Sequence, residues 1–419
     1  MTFAALAIPN YRRYFTGQAV SLVGTWMQMT AQAWLVLTLT HSATMLGLVV
    51  ALQALPVLFL GPYGGVVADR VDKRRFMVIL QTLMGVQSLI LATLTLTGEV
   101  RFWHIAVLAA ALGANNAFES PVRQTFVLEM VGPESLRNAV SLNSVLMNAA
   151  RAVGPAIAGV LIATVGIGVC FLLNSVSFVA VIASLLTLRR SALRPTERVT
   201  RERGQLREGL RYAAGTPELT IPLLMMVFIG MLAYEFQVTL PVLAHQVFDQ
   251  GAAGFGVMTA AMGVGAVIGG LWTAGRGRTG LRPLLIAATA FGVLILLLAI
   301  APTLPLALLV LLFLGAASVS FTAISNTTLQ LASAPDMRGR VMSLWLVAFQ
   351  GSTPIGGPLI GWVCAWAGPR VGLGVGGVAC LLVALAAFLF LQRKRREPAR
   401  RGASYPVAAR TRTPMRAHG

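Results

Sequence analysis

Lysine occurs only at Lys73 and Lys394, and cysteine only at Cys170, Cys364 and Cys380. Asp and Glu together number 14 in 419 residues. Each scarcity excludes something. Neither lysine follows a Gly-rich loop with a Ser or Thr behind it, so there is no phosphate cradle and no ATP-driven pump. The three cysteines fall in apolar stretches without paired spacing, which argues against a disulfide framework or a metal site. No metal or cofactor is called for, and no intramembrane nucleophile with its base is found, so an enzyme is not expected. Charged residues of every kind make up 11% of the chain, against about a quarter in a soluble domain.

What is present is hydrocarbon. Hydrophobic residues make up 56% of the chain and the mean hydropathy is +0.76, which points to an integral membrane protein built from helices, since only helices or closed barrels satisfy their own backbone in lipid. At about 20 to 25 apolar residues per crossing, one set of spans reads Tyr14 to Thr38, Met45 to Ala68, Phe76 to Leu96, Phe102 to Gln124, Ala139 to Val165 and Val169 to Leu188. A second set reads Leu219 to Leu243, Phe255 to Ala274, Pro283 to Ala301, Leu304 to Leu329, Val341 to Trp366 and Val371 to Leu391. About twelve crossings place both termini on one side.

The net charge of +19 would suggest nucleic acid in a soluble protein. Here its distribution speaks for membrane orientation instead, and no nucleic-acid partner is expected. Arg12, Arg13, the cluster from Arg70 to Arg75, Arg137, Arg276, Arg278, Arg282, Arg338 and Arg340 fall on alternate loops, together with a linker and tail rich in Arg. Only Arg101 and Arg370 fall on the others. By the positive-inside rule the basic side is cytoplasmic, in the cell membrane, with both termini there. The apolar start Phe3 to Ile8 is too short for a cleavable signal and precedes its basic pair, so the first span is expected to serve for targeting.

The chain also repeats itself. Gly113 to Gly159 lies on Gly315 to Gly361 without gaps, matching Pro133 with Pro335, Glu134 with Asp336, Ser141 with Ser343 and Gly154 with Gly356. A similar shift sets Gly61 and Gly65 over Gly265 and Gly269. Two halves related in this way are a known transporter build, with the substrate path between them. The expected division is an N-terminal six-helix bundle over 1–188, a cytoplasmic linker over 189–217, a C-terminal six-helix bundle over 218–392 and a disordered basic tail over 393–419. Leu206 and Leu210 beside Arg207 and Arg211 give the linker an amphipathic helix suited to the headgroup surface.

Between the second and third spans, Gly65 is followed by Asp69, Arg70, Lys73, Arg74 and Arg75. This hinge resembles the loop between helices 2 and 3 of the major facilitator superfamily, except that Asp72 stands where the family usually has a second Gly. The resemblance implies a gating loop in which Asp69 meets the start of helix 11 near Arg338 and Arg340. The lead-in Asn10-Tyr11-Arg12-Arg13-Tyr14-Phe15, with Gly24, Trp34 and Thr38, resembles the enterobactin-exporter and macrolide-efflux branch, whose members exchange amphipathic molecules for protons. Gly154, Pro155 and Gly159 resemble that superfamily's exporter motif in helix 5, with Ala158 in place of a glycine. As plain chemistry, they let helices approach closely.

Charges inside the membrane are costly and usually functional. The candidates for proton coupling are Glu235, Glu119 and Arg151. Glu235 lies about 24 Å along helix 7, too deep to reach cytoplasmic water, and the repeat sets it on Gln32. The alternative is a Glu near the outer end that reaches exterior water. Glu119 stands one turn from Arg123, where a structural ion pair competes with a transport role. Arg151 lies roughly 16 to 18 Å into helix 5, as a cavity-lining cation or a buried bridge to Glu119. Gln28, Gln32, Asn115, Asn116, Asn143, Asn148 and Gln237 are the candidates for a polar cavity. The expectation is therefore a secondary transporter, a proton-coupled exporter of an amphipathic small molecule, monomeric in the bilayer. An uptake permease and a membrane sensor without transport are the alternatives.

Overall fold

A computed structural model describes residues 4–68, 70–194, 205–335 and 337–402. Asp69, the linker segment that includes Arg201, Asp336 and the tail beyond Gly402 lie outside the described residues.

The described chain is helical, and nine of its helical stretches are long and apolar enough to cross a membrane. The α-helices of the described residues, in chain order, are α1 (Pro9–Thr40), α2 (Ala43–Ala68), α3 (Lys73–Leu96), α4 (Phe102–Thr164), α5 (Ile167–Leu186), α6 (Gln205–Ala214), α7 (Pro217–Ala233), α8 (Phe236–Gln246), α9 (Ala252–Arg276), α10 (Leu281–Ile300), α11 (Leu304–Ala332), α12 (Arg338–Gln350), α13 (Thr353–Ala367) and α14 (Pro369–Gly402).

Three features depart from the span pattern read in the sequence. The fourth and fifth spans run together as α4, which folds back at Gly132, where φ is +70° and ψ is 171°. Glycine alone is comfortable there, and a Cβ would strike the Arg194 side chain. The seventh span is broken between α7 and α8 at Tyr234 and Glu235. The eleventh is broken at Gly351 and Ser352, because Pro354 has no N–H for the Gln350 carbonyl and its ring crowds that group. α14 also continues to Gly402, so the first ten residues of the stretch expected to be disordered are helical. The good helix formers Arg393, Lys394, Arg395, Arg396 and Glu397 carry the span onward, and the helix continues past Pro398.

Asp72 has a clear role. Its side chain accepts the Arg75 N–H at 3.0 Å and caps α3, so the hinge keeps a helix start at the position where the loop it resembles usually has glycine. Arg74 donates to the Leu185 and Leu186 carbonyls at the end of α5. Lys73 pairs with Glu129 at 2.6 Å. These cations of the hinge tie the N-terminal bundle to itself.

The two bundles meet along two seams, the second leg of α4 against α9 and α2 against α13. Both seams are glycine contacts, and they correspond under the repeat. Gly154 packs on Trp26 and Val23 of α1, while Gly356 packs on Met231 of α7. Gly159 then seats Ala252 and Ala253 of α9, and its counterpart Gly361 seats Ala43 and Thr44 of α2. Gly113 on Gln53 likewise answers Gly315 on Met262. The pairing of Gly61 with Gly265 fails at this level, since Gly61 touches nothing within 4 Å and Gly265 packs on Leu312. At the end away from the basic loops, Trp34 stacks on Phe255 at 6.1 Å and meets His245 edge-on. None of the ion pairs among the described residues joins one bundle to the other.

The linker helix α6 docks under the C-terminal bundle. Ala213 and Tyr212 pack with Leu219, Leu329, Val341 and Leu344, the Tyr212 hydroxyl accepts the Ala334 N–H, and Glu208 pairs with Arg340 at 2.7 Å.

Candidate functional site

The break between α7 and α8 turns a charged side chain inward. Glu235 is the residue at the break and is 3% exposed. It therefore does not reach exterior water from the end of its span. Its backbone carbonyl accepts from Val238 and Thr239, restarting the helix. Its carboxylate lies against the backbone of Gly356 and Gly357 in α13, and Oε1 has no hydrogen-bond partner. Thr239, Leu232, Ile295 and Leu373 close a water-sized cavity around it. A buried carboxylate without a donor is costly while charged and far less so when protonated.

A second water-sized cavity lies between the bundles and is lined by Met29, Gln32, Val49, Gln53 and Gln237. Gln32 and Gln237 are thus brought together across the interface. Gln53 joins them; a lone amide in the apolar second span was the available signal for it, and it went unread. The other amides go elsewhere. Gln28 is spent on a network inside the N-terminal bundle, where its Oε1 accepts from Ser88 and Asn174, each at 2.6 Å, and its Nε2 donates to Gln87. Asn115 donates to the Leu80 carbonyl on α3, and Asn148 to the Ser144 carbonyl on its own helix. Asn116 and Asn143 are half-buried.

The two remaining charges separate cleanly. Glu119 accepts from Arg123 Nε at 3.0 Å in a mostly buried pair. Arg151 is not bridged to it. The Arg151 guanidinium lies over the Trp26 ring, 4.8 Å from its centroid, and its buried Nε has no hydrogen-bond partner. Across the interface stands Tyr234, whose hydroxyl donates to the Ser318 carbonyl at 2.7 Å. Its ring meets Phe291 at 5.0 Å and Phe349 at 5.5 Å.

Comparison with known proteins agrees with this arrangement. A family described as transmembrane secretion effector matches residues 1–408. The staphyloferrin A transporter of Staphylococcus aureus is 27% identical over 61% of this chain and 64% of its own length, so that match spans somewhat under two thirds of the relative. The enterobactin exporter EntS of Salmonella choleraesuis is 26% identical over 93% of this chain and 94% of its own. Among solved structures, the nucleoside transporter NupG superposes with a TM-score of 0.75 at 12% identity, over 91% of this chain and 99% of the other. A D-xylose-proton symporter gives 0.71 at 14% identity, over 89% and 97%. A bacterial homolog of the lysosomal transporter Spinster, in an inward-facing and unoccupied conformation, gives 0.70 at 14% identity, over 90% and 96%.

Proposed function

The chain belongs to the transmembrane secretion effector family of the major facilitator superfamily, and from that premise we propose that it exports an amphipathic small molecule, of the siderophore type, in exchange for protons. Glu235 carries this reading: a buried, unpartnered carboxylate at a helix break, in a water-sized cavity beside the seam between α2 and α13. A group so placed takes up a proton when the site is dry and gives it up when water or a cation reaches it. Two relatives named for siderophore transport support the substrate type.

In this proposal the basic end is cytoplasmic, with both termini there, and the glycine seams close the opposite, external end. The form described is then the one open to the cytoplasm, ready to load cargo. The gating hinge closes that end in the other half of the cycle through Asp69, against the start of α12. Residues 1–188 and 218–392 move as the two bundles, joined by the 189–217 linker, and one copy suffices.

Export is tested with inside-out membrane vesicles containing the full chain. Under an imposed proton gradient they should accumulate amphipathic cargo from a panel of siderophores, macrolides and dyes, and lose it when the gradient is collapsed. Accumulation that ignores the gradient would overturn proton coupling. Gradient-driven accumulation in right-side-out vesicles alone would favour uptake.

A further inference from the structure

A guanidinium at mid-depth in a spanning helix needs a counter-charge or a polar cavity. Among the described residues no carboxylate supplies one to Arg151. Glu119 is taken by Arg123 and Glu129 by Lys73, and the Glu235 carboxylate lies against Gly356 and Gly357. The Nε of Arg151 is buried and unpartnered. A missing hydrogen bond on a charged group is expensive, and packing alone gives no reason to keep it.

We infer that Arg151 and Trp26 form the recognition site for the charged head of the cargo, and that the cargo is an anion bearing an aromatic or other flat π system. The assignment rests on the transport reading above and adds its substrate class. Trp26 holds the guanidinium by its ring face, which orients a planar fork for bidentate contact with a carboxylate or similar oxyanion. Trp26, Met29 and Ala33 recur on one stripe of α1, and Met29 and Ala33 line the cavity that holds Gln32, Gln53 and Gln237. A charged site and a neutral hydrogen-bonding site therefore follow one another along one helix, as an amphipathic anion requires.

The facing bundle supplies the platform for the flat part. The Tyr234 ring of that bundle meets Phe349 edge-on at 5.5 Å, and Phe349 stacks on Trp345 at 5.5 Å and 18°. The Trp345 Nε1–H is buried with no acceptor, a second donor left open on the same aromatic run. Two open donors and no open carboxylate beside Arg151 select against cationic amphiphiles, because an unpaired cation repels them.

The probes are 2-naphthoate and its uncharged isostere 2-naphthamide, with equilibrium binding measured on the full chain in lipid nanodiscs after subtraction of empty nanodiscs. The parent chain is expected to prefer the carboxylate by about tenfold to a hundredfold, the worth of a charged hydrogen bond. Arg151→Gln is expected to bring naphthoate down to the amide's affinity while leaving the amide within about twofold of the parent. Equal affinities in the parent would overturn the inference even if no variant could be purified, and so would a preference that survives in Arg151→Gln. Vesicle transport separates the two readings. A parent chain that prefers naphthoate in nanodiscs but accumulates no cargo in vesicles sinks the export reading alone, whereas gradient-driven accumulation without a charge preference sinks this inference alone.

Discussion

The carboxylate of Glu235 rests against the bare Cα of Gly356: a methyl group there would come within 2.7 Å of Oε1 and would also strike the Met231 carbonyl. The glycine thus fixes how closely the broken helix α7–α8 approaches α13. Gly356→Ala is expected to lower the thermal midpoint through overpacking worth about 1–3 kcal/mol and to slow transport. Gly374, with nothing within 4 Å, is the control. Its alanine variant should be neutral or slightly more stable, since alanine is the better helix former. A Gly356→Ala protein as stable and active as the parent would remove this contact from the account.

Glu119 and Arg123 predict a loss of a different kind. Their pair is mostly buried inside one bundle, with side chains 10% and 16% exposed, so Glu119→Gln leaves a buried guanidinium unpaired at a cost of about 3–5 kcal/mol. The expected readout is a large fall in thermal stability and protein level. An apolar pair, Glu119→Leu with Arg123→Met, should recover most of that loss. If Glu119→Gln were fully stable yet uncoupled from protons, Glu119 would replace Glu235 as the coupling group.

Much of this was legible in the sequence, and the reasons differ by element. Span positions came from hydrophobicity, which in lipid is nearly decisive because no unpaired backbone is tolerated. The glycine correspondences were readable because close helix approach leaves no alternative residue, as Gly154 with Gly356 illustrates within the bundles and Gly159 with Gly361 at the seams. The breaks at Tyr234 and at Ser352 were not read, although Glu235 and the stretch Gln350-Gly351-Ser352-Thr353-Pro354 interrupt the two apolar runs, because single polar residues and prolines also occur in spans that stay continuous, as Pro155 in α4 does. Side-chain partners were least legible. Gln28 and Gln32 stand one turn apart on α1, yet one closes a network with Ser88 and Asn174 and the other lines the interface. A few tens of degrees of rotation about the helix axis separates these fates, and composition does not record it.

The orientation of the bundle can be read chemically because the three native cysteines are buried. Cysteines placed at Ser191 and Glu99, exposed at opposite ends of the molecule, give a clean pair. A membrane-impermeant maleimide added to intact cells should label Glu99→Cys and spare Ser191→Cys until the membrane is opened, and Ala403→Cys should behave like Ser191→Cys. The reverse pattern would place the basic loops outside.

Asp69→Asn tests the latch. A carboxylate against the first turn of a helix is worth about 0.3–2 kcal/mol, so its loss should lower transport by roughly twofold to thirtyfold without lowering the protein level. Arg340 already has Glu208 at 2.7 Å. Because Glu208 is 60% exposed, Glu208→Gln should change stability by less than about 1 kcal/mol. Unchanged transport in Asp69→Asn would remove the latch.

Glu235→Gln is the decisive variant for coupling. It keeps the size of the side chain and removes only the titratable group. Nothing in the described structure donates to Oε1, so no protein hydrogen bond to that atom is lost and folding should be unaffected. The cavity between Gln32, Gln53 and Gln237 is separate from the one around Glu235, so cargo binding should persist. The variant should therefore exchange labelled cargo downhill at close to the parent rate while failing to build an uphill gradient when protons are supplied. The cause is local: a neutral amide at the break has no proton to surrender, and the cycle turns without drawing on the gradient. Uphill export at the parent rate, with the same dependence on the imposed gradient, would show that the proton travels by another group.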